Sequence, residues 1–244
     1  MSADPLPPAL RPVRALVFDL IGTTTDWLTP VHTALVAHAP TASAPPSTDW
    51  EAFAHAWRKG FFRVVKEASQ GGTFIGLDEV YGKVLDELCE TEGIKGWGED
   101  VKKDLIKSWW NLQAWRDTAG GMEALRRKYI VAGLSNGSAP FLIQANKRSG
   151  VNYDIILPSN LIGAYKPDPK MYITAIKTLE LEPRECAMVA AHAYDLDAAA
   201  THGMRTIYIA RHTEDIGAHI QDNKYDLVVR EGGIAELARR LEAV

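Results

Sequence analysis

Two cysteines, Cys89 and Cys186, are all the chain contains, each in a stretch that reads as regular and apolar. A disulfide framework is therefore not expected, and a reducing compartment, the cytoplasm, fits. No stretch approaches the roughly 18 uninterrupted apolar residues that a membrane helix needs, so no membrane partner is expected. Charge of one sign is also missing: 27 Lys and Arg against 31 Asp and Glu leave a net charge of −4, with no basic run. That composition argues against a nucleic-acid partner. His32, His38, His55, His202, His212 and His219 show no HExxH-type spacing and have no paired cysteines, so no metal site is expected from them. No internal repeat is visible. The first 14 residues carry four prolines and no apolar core of signal-peptide length, and they read as a flexible tail, 1–14.

What is present suits an α/β protein. Hydrophobic residues make up 46% of the 244, enough for one domain with a sizeable core and an inserted subdomain. The run ALVFDL at 15–20 reads as a buried parallel strand that ends on an acid and a glycine loop. Similar short runs recur at 130–134, 153–157, 186–191, 206–210 and 227–229, and helical patterns at 121–128, 139–148, 169–179, 196–202 and 234–241 separate most of them. Strands alternating with helices predict a parallel sheet covered on both faces. The stretch 28–116 differs. Apolar residues fall at helical spacing over 48–69, 77–92 and 100–110, with breaks at Gly71-Gly72 and Gly96-Trp97-Gly98. It reads as a helical insertion, a cap, between the first strand and a core made of 15–27 and 117–244. The tryptophans at 57, 109, 110 and 115 read as cap core or interface in preference to a substrate cage, Trp115 is placed to line the cleft mouth, and a homodimer is left open.

In an open parallel sheet, ligands bind beyond the carboxyl ends of the strands, at the switch in strand order. The polar residues just after the strands are Asp19, then Ser135 and Asn136 (GLSNGS), Lys166 (AYKPDP) and Asp195 (AYDLDA). Ser135 to Lys166 spans 31 residues and Lys166 to Asp195 spans 29, about one βα unit each. Taken singly, each has a plain structural reading: a turn aspartate, an SNG turn, a KPDP helix start. Together they bring two carboxylates, an ammonium and a hydroxyl to one sheet edge.

These elements resemble the four motifs of the haloacid dehalogenase superfamily: Asp19 to Thr23 as DxxGT, the Ser135-Asn136-Gly137 turn, Tyr165 to Pro169 around Lys166, and the Asp195 segment. The likeness covers nearly the whole chain and implies a Rossmannoid α/β core with a helical cap. Within the superfamily the chain resembles the type II (S)-2-haloacid dehalogenases. Trp57-Arg58 is similar to that family's WR pair, which implies that Arg58 binds the leaving halide and the substrate. The same resemblance puts Tyr172 near Asp19, although a half-buried helix aromatic is an equal reading.

Most members of the superfamily are phosphatases, and an Mg-dependent phosphatase is one alternative. Those enzymes carry a second acid two residues after the nucleophile, where this chain has Ile21, which has no proton to give. They also hold Mg²⁺ with several carboxylates. Here the fourth motif offers Ala190, Ala191 and His192 before Asp195, with Asp197 expected to face elsewhere. The expectation is therefore a metal-independent, cofactor-free hydrolase of a small 2-substituted carboxylic acid. Asp19 attacks the α-carbon to form an ester, and water assisted by Asp195 hydrolyses it. Lys166 pairs with both acids and keeps them ionised. Thr23, Ser135 and Asn136 orient Asp19 and bind the substrate carboxylate. Ile21, Ala190, His192 and Tyr194 depart from the family's Tyr, Ser, Asn and Trp, so ring opening of an azetidine-2-carboxylate-type acid is a second alternative. A non-catalytic binding protein is the third, against which the intact Asp19, Lys166 and Asp195 argue. His192 reads either as a loop histidine or as a water-positioning group beside Asp195.

Overall fold

The computed structural model describes residues 6–70 and 75–243, and of Ser69 and Gln70 only the backbone. The break expected at Gly71-Gly72 lies outside the described residues. The chain divides into two compact units, one made of Met1–Thr25 and Ala114–Val244, the other of Asp26–Gln113. Ala114, Trp115 and Arg116, expected in the insertion, fall in the first unit, and Asp26 and Trp27, expected in the core, fall in the second.

The first unit is built on six parallel strands: β1 (Ala15–Phe18), β4 (Ile130–Ser135), β5 (Ile155–Pro158), β6 (Cys186–Ala190), β7 (Arg205–Ile209) and β8 (Leu227–Val229). Two further strands, β2 (Thr25–Asp26) and β3 (Gln113–Ala114), form a separate two-stranded sheet. The order across the main sheet is β5-β4-β1-β6-β7-β8. The chain winds outward from β1 through β4 to β5, then returns to the other side of β1 with β6. The winding reverses between β1 and β6, and that is where such a sheet opens a crevice at its carboxyl edge.

Alternation along the strands explains the two buried faces. Leu16 and Phe18 of β1 face one core with Val131, Val189, Ile207 and Val229, closed by α5 (Thr118–Arg126) and α10 (Gly233–Arg240). Ala15 and Val17 face the other with Ala132, Leu134, Met188 and Ala190, closed by α8 (Pro169–Leu179) and α9 (Ala193–Thr201). The remaining helices of this unit are α6 (Ala139–Ser149) and the short α7 (Ser159–Ile162). The tail expected over 1–14 is corrected from Pro8 onward. Pro8–Leu10 forms a 3-10 turn, and Leu10 and Val13 are buried in the first of these cores. Two apolar side chains among prolines find a core, and Arg14 N–H donates to the Glu185 carbonyl at 2.8 Å.

The second unit is helical: α1 (Leu28–His38), α2 (Trp50–Gln70), α3 (Leu77–Thr91) and α4 (Glu99–Ser108). Its centre is aromatic. Trp109 stacks on Trp27 at 5.3 Å and on Tyr81 at 4.2 Å, and meets Trp57 edge-on at 5.4 Å, geometries that aromatic pairs favour. Trp57 and Trp109, read as core or interface, are fully buried core. Helices α2 and α3 touch at Gly60, where a Cβ would lie 2.3 Å from Val84. Helix α1 was not expected from the sequence. Its Pro30 falls in the first turn, where the missing N–H costs no helix bond. Among the described residues, no helix is long and apolar enough to cross a membrane.

Candidate active site

Strand β1 ends at Phe18, so Asp19 projects at the carboxyl edge, its N–H held by the Val189 carbonyl of β6 at 2.9 Å. Each oxygen of its carboxylate is engaged. Lys166 Nζ donates to Oδ1 at 2.6 Å, and the Thr23 hydroxyl donates to Oδ2 at 2.7 Å. His192 Nδ1 lies 3.2 Å from Oδ2. Lys166 also donates to Asp195 Oδ2 at 2.5 Å, and the Tyr172 hydroxyl donates to Asp195 Oδ1 at 2.7 Å. Asp19, Lys166, His192 and Asp195 are all buried, Asp195 completely.

Local sequence explains the placement. The KPDP segment serves both readings at once: Asp168 caps α8 by accepting from Lys170 N–H, Pro169 takes the first helical position, and Lys166 is left just ahead of the helix. Asn136 binds the Lys166 backbone on both sides, its Oδ1 accepting the Lys166 N–H at 2.6 Å and its Nδ2 donating to the Lys166 carbonyl at 3.3 Å. These two bonds position the lysine. The Ser135 hydroxyl accepts from Gly137 N–H at 3.0 Å and shapes the turn. Thr23 is likewise committed, accepting from Ala191 N–H at 2.8 Å while donating to Asp19. It orients the nucleophile instead of binding substrate. Tyr172 donates to Asp195 and lies near enough to Asp19 for the Asp19 charge to help hold its phenol protonated.

Sequence reasoning missed Glu214. It is buried on the loop after β7, its Oε2 lies 2.6 Å from His192 Nε2, and its Oε1 accepts from the Thr213 hydroxyl at 2.9 Å. His192 therefore bridges Glu214 and Asp19, which corrects its expected place beside Asp195. The loop fits because position 22 is glycine. There φ is +93°, and a Cβ would lie 2.4 Å from the Glu214 carboxyl. Gly22→Ala should displace Glu214 and cost about 1–3 kcal/mol of strain. Chemical denaturation and kcat together check this, and a variant with wild-type stability and turnover would contradict it.

The charges follow from these contacts. Burial pushes the Asp19 carboxyl up, but Lys166 and His192 outweigh it and hold it well below the usual carboxylate range. Burial alone would lower His192, yet contact with Asp19 and Glu214 raises it to about 9. Asp195 moves up, through burial and the Asp19 charge, against the pull of Lys166 and Tyr172. Lys166 thus draws both acids toward the ionised form, and for Asp195 burial and the Asp19 charge outweigh it. The asymmetry is physical: one ammonium serves two acids, and only Asp19 has a second cation.

The donor set does not suit a divalent cation of the kind common in this fold. Both oxygens of Asp19 and of Asp195 are taken by cations or hydroxyl donors, and Asp197 faces away, paired with Lys224 at 3.1 Å and Tyr225 at 3.0 Å. Magnesium needs several oxygen ligands, and position 21 is Ile21.

A family model for haloacid dehalogenase-like hydrolases matches residues 13–203. The chain belongs to that family. This haloacid dehalogenase-like hydrolase is 32% identical to (S)-2-haloacid dehalogenase 4A of Burkholderia cepacia, over 82% of this chain and 84% of that one. It is 29% identical to (S)-2-haloacid dehalogenase 1 of Pseudomonas sp. (strain CBS-3), over 83% and 86%. A solved defluorinating L-2-haloacid dehalogenase superposes with a TM-score of 0.83 at 31% identity, covering 99% of this chain and all of that one. Arg58, the hydrolase's expected halide ligand, lies in the helical unit. It is buried there, its guanidinium carbon 4.9 Å from the Trp27 ring and 5.1 Å from the Phe62 ring.

Proposed function

We propose that this chain hydrolyses the carbon–halogen bond of a small 2-haloacid through a covalent ester on Asp19, without a metal or cofactor. The observation that carries the reading is the line of groups from Glu214 through His192 to Asp19. A strongly ionised carboxylate at the switch point is a nucleophile. A histidine–carboxylate pair beside it can supply the general base for hydrolysis of the resulting ester.

Proton balance orders the steps. At rest His192 is protonated between two carboxylates. Asp19 attacks the α-carbon, a C–O bond forms, and the halide leaves with the C–X pair. Arg58 is the residue proposed to receive it, as a permanent cation. The ester carries no charge, so His192 loses the counterion that helped to raise it and releases its proton to solvent. The neutral imidazole, held by Glu214, then takes a proton from water as the hydroxyl adds to the Asp19 carbonyl carbon. Collapse breaks the acyl–oxygen bond. One water proton leaves on the hydroxy acid and the other stays on His192, which restores the resting pair. This assignment moves the base role from Asp195, whose oxygens are occupied by Lys166 and Tyr172, to His192. Asp195 and Tyr172 anchor Lys166, and the Ser135 hydroxyl proton is assigned to the substrate carboxylate. Two cysteines without a disulfide fit a cytoplasmic enzyme.

A halide-release screen over chloro, bromo and fluoro acids, with azetidine-2-carboxylate alongside, tests the substrate class. Release from none of the halo acids, with ring opening of the azetidine acid, would transfer the mechanism to that substrate. Exhaustive chelation should leave the rate on a 2-chloro acid unchanged. Loss with EDTA and recovery with Mg²⁺ would overturn the metal-independent reading.

A further inference from the structure

The loop that leaves β1 is gripped from outside at three consecutive carbonyls. Trp115 Nε1 donates to Gly22 O at 2.9 Å, Arg211 Nε to Thr23 O at 3.0 Å, and Trp115 N to Thr24 O at 3.3 Å. The two gripping residues lie together, with the Arg211 guanidinium carbon 5.3 Å from the Trp115 ring centre. The other end of the Arg211 fork is taken by Asp117, with Nη1 to Oδ1 at 2.7 Å and Nη2 to Oδ2 at 2.8 Å. Asp117 is fixed in turn by Ile234 N–H at the start of α10, which donates to Oδ2 at 2.7 Å. Gly233 leaves the room, since a Cβ there would lie 2.1 Å from that oxygen.

We propose that Arg211 and Asp117 are a positioning pair for the nucleophile. They fix the Thr23 backbone, which aims the Thr23 hydroxyl and through it the Asp19 carboxylate. The proposal rests on reading Asp19 as the nucleophile. The direction of the chain of contacts supports it. The Thr23 hydroxyl accepts from Ala191 N–H, so its own proton is left for Asp19. A bond from Arg211 to the Thr23 carbonyl therefore sets the angle of a donor that touches the reacting group. The role needs a planar fork with three donors to satisfy two partners at once, which an ammonium cannot reproduce. Arg211 touches no reacting atom, and its effect is on attack geometry, where small misplacements are costly.

The test uses the full chain with Arg211→Lys and Asp117→Asn. With a 2-haloacid in rapid quench, the halide burst should keep an amplitude near one per site while its rate falls about tenfold or more, and KM should hold. A burst of wild-type rate and reduced amplitude would mean that the pair only holds the fold, and overturns the proposal. A second readout does not depend on the substrate. In protein labelled with ¹³C at the aspartate carboxyls, the Asp19 resonance, assigned with Asp19→Asn, should shift in Arg211→Lys in the direction it shifts in Thr23→Val. An unmoved resonance overturns the positioning role whatever the substrate is. A moved resonance in an enzyme that releases no halide from any 2-haloacid would leave the pair standing and remove the dehalogenase reading.

Discussion

Asp19→Asn should lose roughly four orders of magnitude or more in turnover, the scale seen when an essential nucleophile is removed. An amide neither attacks carbon at a useful rate nor balances two cations. The fold should survive the change, because each cation keeps a carboxylate: Lys166 holds Asp195, and His192 holds Glu214. Circular dichroism and thermal melting would establish that the variant is folded before its rate is read. Turnover within tenfold of wild type would remove Asp19 from the mechanism. The alternative to nucleophilic attack is that Asp19 serves only to orient Lys166, and an Asn, which still offers an oxygen to the ammonium, would then retain much of the rate.

His192→Ala should separate the two steps. Base catalysis is worth roughly 10²–10⁴-fold, and its loss should fall on ester hydrolysis. The variant is expected to release about one halide per site in a burst and then turn over slowly, as the Asp19 ester accumulates and becomes visible by intact mass. The proton gives a sharper signature. In the wild type, a pH indicator should report one proton released with the halide burst, because ester formation discharges the imidazolium. In His192→Ala the halide burst should come without that proton. A burst and a steady state that slow together, with no trapped ester, would return His192 to a structural role. Stability carries the same sign. His192 sits above its ordinary value in the folded protein, at about 9, so its contribution is complete below pH of about 6.5 and fades as pH rises through the folded value. The melting temperature of the resting enzyme should fall over that window, and fall less in His192→Gln.

How far the site was legible follows from where its residues sit. Asp19, Ser135, Lys166 and Asp195 each close a short apolar run or open the helix after it, so strand reading alone put them on one edge. That works because buried parallel strands leave little doubt about where they end. Asn136 was legible as a strand-end residue, but not as the ligand of the Lys166 backbone, since its partner lies 30 residues away. Glu214 and Arg211 were not legible at all. They stand in the polar run Arg211 to Asp215, which matches any solvated turn. Their burial comes from partners far along the chain: His192 for the glutamate, Asp117 and Thr23 for the arginine. One signal pointed toward Glu214. His192 follows a buried strand, and a buried imidazole has two ring nitrogens, each of which calls for a polar partner. The same limit explains the N-terminal segment: four prolines suggest a loose tail, and only the core shows that Leu10 and Val13 have a place in it.

The route through Asp19 is tested most directly by a single turnover in heavy-oxygen water, with enzyme in excess over a 2-haloacid. The carbonyl carbon of the Asp19 ester is the atom that water attacks in this account. The hydroxy acid from the first turnover should therefore carry ordinary oxygen taken from Asp19, and the peptide containing Asp19 should gain one heavy oxygen. Heavy oxygen in the first-turnover product, with an unlabelled Asp19 peptide, would mean that water attacks the substrate carbon directly and that no ester forms.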